Sequence, residues 1–248
     1  MDDARPGWEN MAVDAALLDR TRETGQAFLR CYRWEPHCLS FGRHEPALRR
    51  YDTDRIRALG LSCVRRPTGG RAVWHARELT YAVTAPLSAF GGMREAYAAI
   101  HGLLAAALGT MGVQALLASR SWPTPGVGSG PCFATPVGGE VLVRGKKVVG
   151  SAQLRSGDAF LQHGSLLLAD DQSLVGELAG LTPAVPGAGL VVPLGIEPSF
   201  DEVAETLLAT AESRLESAVR EEGLPAPIAA LATSHAARFR SDAWTWQR

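Results

Sequence analysis

Two residues in one stretch of the chain have side chains suited to acyl chemistry. Cys132 stands in Pro131-Cys132-Phe133-Ala134-Thr135-Pro136, directly after a Pro/Gly-rich loop at 122–131. Lys147 stands in Gly145-Lys146-Lys147-Val148-Val149-Gly150-Ser151-Ala152-Gln153. A thiol takes up an acyl group as its thiolate, and a nearby ammonium favours that form. The stretch therefore offers a nucleophile and a charge able to activate it. Residues 140–143 and 146–154 read as paired strands turning at Arg144-Gly145. Period-two alternation along the second strand puts Lys147, Val149, Ser151 and Gln153 on one face, and leaves Lys146 as a solvated neighbour.

The remaining elements must hold this pair in place. Residues 8–22 read as a helix with Met11, Ala15 and Leu18 on one face, Leu17 beside them, and Gly25 as its stop. Strands are expected at 28–34, 38–42, 62–66, 78–84 and 164–168, with a short helix at 52–59. Between two of these strands lies Arg65-Arg66-Pro67-Thr68-Gly69-Gly70-Arg71-Ala72-Val73-Trp74-His75. The Gly-Gly pair reads as a tight hairpin turn, or as a place where a ligand approaches the main chain. Residues 95–111 form the clearest helix, with Tyr97, Ile100, Leu104, Leu108 and Met111 as its core stripe and His101 on its surface with no role. A second Pro/Gly-rich loop covers 182–195. Ser199-Phe200-Asp201-Glu202 is a capping box opening a helix that ends near Gly223, and a last helix starts near Ile228. Mixed helices and strands, with short turns between strands, predict an α+β fold with a largely antiparallel sheet flanked by helices. The expected organisation is a single catalytic domain, 1–248, with a core at about 28–220 and the N-terminal helix and C-terminal helical segment packed on it.

Composition excludes several classes. The 248 residues are 46% hydrophobic and 21% charged, with a formal net charge of −1. That balance supports an ordinary core and gives no electrostatic case for nucleic acid or a membrane surface. The polar start and the lack of a long apolar run point to a cytoplasmic protein. Four cysteines, at 31, 38, 63 and 132, form no disulfide framework, and Cys38 with His37 and Cys31 matches no zinc spacing, so Cys31, Cys38 and Cys63 read as buried structural thiols and no metal is expected. The run from Gly139 to Lys147 misses the phosphate-binding loop pattern by one residue of spacing and by lacking Ser or Thr at its end.

The segments at 65–75, 145–153 and 161–165 (Leu161-Gln162-His163-Gly164-Ser165) together resemble the lipoate–protein ligase and octanoyltransferase family, which shares its fold with biotin–protein ligases. Asn10-Met11-Ala12-Val13-Asp14, Leu39-Ser40-Phe41-Gly42-Arg43 and Arg240-Ser241-Asp242-Ala243-Trp244 are similar to the family's opening and closing segments. The upstream cysteine of Pro131-Cys132-Phe133 resembles the cysteine-dependent octanoyltransferase branch. That resemblance implies a biotin/lipoate protein ligase-like catalytic domain, an octanoyl thioester on Cys132, and Lys147 lowering the thiol pKa. It implies a substrate site built from Arg66, Thr68, Gly69, Gly70, Arg71, Ala72, Val73, Gly150, Ser151, Ala152, Gln153, His163 and Gly164. Acyl carrier protein would be the donor, its phosphopantetheine bringing the octanoyl group, with no further cofactor. A lipoyl-domain protein, such as glycine cleavage H protein or a 2-oxoacid dehydrogenase E2, would be the acceptor, and the enzyme a monomer. The chain departs from the family at Val137-Gly138-Gly139, where a polar or aromatic pair is expected before Glu140.

Three alternatives accompany this reading. An octanoyl amidotransferase between lipoyl proteins also uses an upstream cysteine. An ATP-dependent lipoate–protein ligase would need a partner to supply an accessory domain, since this chain ends shortly after Trp246. A non-catalytic binder of lipoyl domains would need neither Cys132 nor Lys147. His75 and His163 are the candidate general bases, with structural roles as the competing reading.

Overall fold

The computed structural model describes residues 2–119, 138–181, 189–215 and 223–247. Cys132, the loop at 122–131, much of the loop at 182–195 and the expected helix end before Gly223 fall outside the described residues. In chain order the elements are α1 (Gly7–Thr24), β1 (Phe28–Tyr32), β2 (Cys38–Phe41), α2 (Ala47–Arg50), α3 (Thr53–Ala58), β3 (Ser62–Arg65), β4 (Val73–His75) and β5 (Glu78–Pro86). Then come α4 (Met93–Thr110), β6 (Ala115–Leu117), β7 (Val141–Val143), β8 (Lys146–Lys147), β9 (Val149–Ser156) and β10 (Ala159–Leu167). The chain continues through α5 (Ser173–Leu178), α6 (Val191–Leu194), α7 (Phe200–Leu215), α8 (Ala226–Arg240) and α9 (Asp242–Thr245).

The main sheet has the order β1-β5-β10-β9 and is antiparallel throughout. Its pleat sends alternate side chains to opposite faces. Tyr81, Val83, Phe160 and Leu166 pack under α4 and α7, while Tyr32, Ala82 and Leu161 pack under α1 and α8. A smaller sheet, β3-β2-β4, joins β2 to β3 in parallel and to β4 antiparallel. A third, β6-β7-β8, is antiparallel. The architecture is the expected α+β arrangement. Local signals hold as well: Gly25 ends α1 in the left-handed conformation, Asp52 caps α3 through the Arg55 N–H, and Ser199 Oγ accepts from the Glu202 N–H. Among the described residues no helix is long and apolar enough to cross a membrane.

Four expectations need correction. The Gly69-Gly70 segment is not a hairpin turn, because β2 lies between β3 and β4, so residues 66–72 cross over from one edge strand to the other. The 146–154 strand is interrupted at Val148. The Val148 N–H donates to Val141 O in the third sheet, while Val148 O accepts from Leu167 N–H in the main sheet. Alternation therefore does not run unbroken from Lys147 to Gln153; Val148 and Val149 both enter the same core cluster. The strand expected at 164–168 is longer, includes Gln162 and His163, and is central in the main sheet. His101 is not on a helix surface but wholly buried against the sheet.

Candidate active site

A cleft of about 380 Å³, counting the solvent in its mouth, lies beside the main sheet. Its apolar walls come from Met11, Tyr32, Trp34, Val73 and Ala152, and its polar lining includes Arg66, His75, Thr80, His163 and Ser165. Of the residues expected at the site, Arg66, Gly70, Val73, Gly150, Ser151, Ala152, His163 and Gly164 line this cleft. Thr68 stands behind it, its hydroxyl 2.6 Å from His163 Nε2. Gly69, Arg71, Ala72, Gln153 and Lys147 do not line it, and Ala72 is turned into the core cluster of the small sheet. Cys132 lies outside the described residues.

The crossover at 66–72 is fastened from within. The buried Arg66 guanidinium donates to Ser40 O at 3.0 Å, Ser40 Oγ at 2.5 Å, Gly69 O at 3.1 Å and Arg71 O at 2.9 Å. Gly70 has φ of 93°, a conformation that favours glycine. Beside it, a Cβ on Gly42 would stand 1.9 Å from Gly70 O. Glycine is therefore needed at 42 so that the two loops can touch. A Cβ on Gly69 would meet nothing within 4 Å, so closeness to a wall explains Gly70 but not Gly69.

A charged network backs the cleft on the α1 face. Asp14, fully buried, accepts from Arg30 at 2.8 Å, from the Tyr32 hydroxyl at 2.8 Å and from His163 Nδ1 at 2.9 Å. A carboxylate only accepts, so His163 carries its proton on Nδ1. Burial alone would raise the Asp14 pKa, but the His163 hydrogen bond and the Arg30 charge outweigh it and hold the carboxyl below its ordinary range. His75 sits beside this network, stacked on Trp34 at 4.0 Å between ring centroids. Its Nε2 meets Ser40 Oγ at 2.6 Å and its Nδ1 meets Glu78 Oε1 at 3.2 Å. Burial lowers its pKa despite that carboxylate.

A neutral network occupies the α4 face. Gln153 Nε2 donates to Met93 O and to Gln162 Oε1, both at 2.9 Å. Gln162 Nε2 donates to the Tyr81 hydroxyl at 2.9 Å, and that hydroxyl lies 2.7 Å from Ser151 Oγ. Ser151 Oγ lies 2.9 Å from His101 Nε2, and His101 Nδ1 lies 2.7 Å from Gly139 O. Backbone carbonyls only accept, so His101 Nδ1 donates to Gly139 O. A neutral His101 then takes the Ser151 proton on Nε2, and Tyr81 donates to Ser151. Burial and the Lys147 charge push the His101 pKa down to about 4, the Gly139 hydrogen bond opposing them. Gly164 completes this arrangement. A Cβ there would lie 2.5 Å from Ser151 Oγ and 2.6 Å from Gly150 O, so the His-Gly step is dictated by the serine across the strand pair.

Lys147 is buried, with its ammonium 2.6 Å from Glu140 Oε1, whereas Lys146 is exposed. The two lysines are thus separated as expected, though by the β7–β8 hairpin rather than by one continuous strand. Burial pushes the thiols of Cys31 and Cys63 up to about 12 and raises that of Cys38 as well. None of these three is poised as a thiolate. Sequence reasoning gave no role to Asp14, Arg30, Tyr81, His101 or Gln162. A carboxylate on the apolar face of the first helix and a histidine inside a small-residue helix were the available signals.

Comparison with known proteins adds a second line. Residues 6–184 match the family described as Lipoyl protein ligase A/B catalytic domain. Octanoyltransferase LipM of Symbiobacterium thermophilum is 39% identical over 194 residues, covering 75% of this chain and 70% of that protein. Octanoyltransferase LipM of Geobacillus kaustophilus is 31% identical over 274 residues, covering 96% of this chain and 94% of that protein. The match to the Carboxydothermus hydrogenoformans protein of the same name, 39% identical, spans 62% of that relative's length. Among solved structures, protein Ta0514 of T. acidophilum superposes with a TM-score of 0.80 at 20% identity over all of both chains. A lipoate-protein ligase A bound with ATP superposes with a TM-score of 0.81 at 20% identity over 99% of both. At that identity the structural likeness establishes the fold.

Proposed function

The chain belongs to the Lipoyl protein ligase A/B catalytic domain family, and from that premise we propose that it transfers an octanoyl group from acyl carrier protein to a lysine of a lipoyl domain through a thioester on Cys132. The observation that carries this reading is the likeness, along almost the whole chain, to a relative named Octanoyltransferase LipM. The site is compatible with it. The cleft has apolar walls, and each buried methylene of an acyl chain contributes about 0.8 kcal/mol. A buried lysine stands three residues before Gly150 in the cleft wall.

The proposed reaction has two displacements. The Cys132 thiolate attacks the donor carbonyl carbon; a new C–S bond forms, the bond to the pantetheine sulfur breaks, and that sulfur leaves and takes up the proton given up by Cys132. The ε-amine of the acceptor lysine then attacks the Cys132 thioester. A C–N bond forms, the C–S bond breaks, and the amine's proton ends on the released thiol. The amide is the more stable product, so no nucleotide is consumed. Lys147 supplies positive charge that favours the thiolate, and its ammonium is fixed in place by the ion pair with Glu140. Cys31, Cys38 and Cys63, with their raised pKa values, do not compete.

The test mixes the protein with octanoyl-acyl carrier protein and a lipoyl domain, without ATP, and follows the lipoyl domain by intact mass. Octanoylated product is expected. Product that forms only from free octanoate or lipoate with ATP would replace this reading with the ligase one.

A further inference from the structure

The chain as a whole is close to electroneutral, at a formal −1, yet three arginines gather on two tryptophans beside the segment that carries Gly70 into the cleft. Arg43 follows Gly42, the glycine pressed against Gly70, and its backbone N–H donates to Thr68 O at 2.8 Å. Its guanidinium reaches toward the Trp244 ring, 5.7 Å from the centroid, and Arg238 lies on the same ring at 3.7 Å. Arg240, two residues on, stacks on Trp8 at 3.6 Å. Trp8 and Trp244 pack against one core cluster, which also holds the cleft residue Met11. Among the described residues none of these three arginines forms an ion pair, and two of them share one tryptophan ring. Burial and the Arg43 charge both lower the Arg238 pKa, so the two cations feel each other. The nearby Asp242 is exposed and its charge bears on Cys63.

Like charges held together on rigid aromatic platforms oppose one another until an anion meets them. Stacking also fixes the guanidinium planes, so little freedom is lost when a carboxylate binds. We propose that Arg43, Arg238 and Arg240 form the docking surface for the carrier protein that delivers the acyl thioester, met by carboxylates on the face it presents. This rests on the octanoyl-transfer reading and names the place where its donor lands. The patch borders the Thr68–Gly70 segment, whose Gly70 lines the cleft that would receive the acyl chain.

The experiment compares three octanoyl donors: the carrier protein, phosphopantetheine and pantetheine. The proteins compared are the wild type, Arg43→Glu with Arg238→Glu, Arg43→Gln with Arg238→Gln, and an Arg57→Glu control. The double Glu variant is expected to raise KM for the carrier protein at least tenfold. It should change kcat less than twofold and leave kcat/KM for both small donors within twofold. The Gln pair should show a smaller rise in the same direction, and the wild-type advantage should shrink as salt is added. Equal losses on all three donors would show a structural role and overturn the proposal. Loss on the carrier protein and phosphopantetheine, but not pantetheine, would make the patch a phosphate site and overturn it too. An unchanged KM for the carrier protein would do the same. A wild-type protein that accepts none of the three donors defeats the octanoyl-transfer reading, and the docking role falls with it.

Discussion

The two faces of the main sheet solve the problem of buried polar groups in opposite ways. On the α1 face, Asp14, Arg30, Tyr32 and His163 form a charged network that is fully withdrawn from solvent. On the α4 face, Gln153, Gln162, Tyr81, Ser151 and His101 form a neutral chain, anchored at both ends on backbone carbonyls. A charged network resists the loss of any member, because what remains is an uncompensated charge in a medium that solvates it poorly. A neutral chain loses hydrogen bonds one at a time, but its proton order is fixed from end to end. The first arrangement holds α1 and the cleft wall in place. The second fixes one serine hydroxyl next to the His-Gly step.

The largest effect that tests this contrast is Asp14→Ala, which removes the carboxylate from Arg30, Tyr32 and His163. A loss of about 3–5 kcal/mol is expected by urea unfolding. A loss under about 1 kcal/mol would erase the distinction between the faces.

The next effect is a pH dependence that belongs to the neutral face. His101 has a folded pKa pushed down to about 4, and an unfolded histidine titrates near 6.5. Between those values the unfolded chain binds the extra proton, so stability falls as pH drops from about 6.5 to 4, by roughly 3 kcal/mol from this residue. His101→Gln keeps one acceptor for Ser151 and one donor for Gly139, and it should flatten that slope while costing little at pH 7. A slope unchanged in the glutamine variant would mean that His101 does not titrate with unfolding. Asp14 acts lower on the scale. Its folded pKa is depressed, so its contribution is present above its unfolded pKa of about 3.9 and is lost only as pH falls below that value.

The smallest effect separates the two glycines of the crossover. Gly70→Ala forces a side chain onto a φ of 93° and should cost about 1–2 kcal/mol. Gly69→Ala, with open space around its Cβ, should stay within about 0.5 kcal/mol of wild type. Equal costs at both positions would place the constraint elsewhere in the loop.

How far these features were legible in the sequence depends on how local their causes are. The α1 stop at Gly25, the Asp52 cap and the Ser199 cap depend on residues within a turn of one another, and they are readable. The α4 stripe is readable for the same reason, as Ile100, Leu104 and Leu108 are buried. The Gly69-Gly70 segment was misread because the strand between β3 and β4 comes earlier in the chain, and no local pattern announces a parallel pairing. His101 was misread because a polar side chain on a helix is ordinarily solvated. Only Ser151 and Gly139, brought from distant segments, make its burial affordable. Gly164 looked like the beginning of a strand, although it is the middle of one. The glycine is there because Ser151 crosses it, a reason that appears only once β9 and β10 are paired. The site motifs themselves were visible as residue types, but which of them face the cleft was not.

Whether Cys132 carries the acyl group is decided by locating the adduct. The protein is mixed with octanoyl-acyl carrier protein, digested, and the octanoylated peptide identified by mass spectrometry with and without hydroxylamine. A single hydroxylamine-labile adduct on Cys132 is expected, with none on Cys31, Cys38 or Cys63, and no turnover in Cys132→Ala. An adduct on one of those other three cysteines, or full turnover in Cys132→Ala, would contradict it.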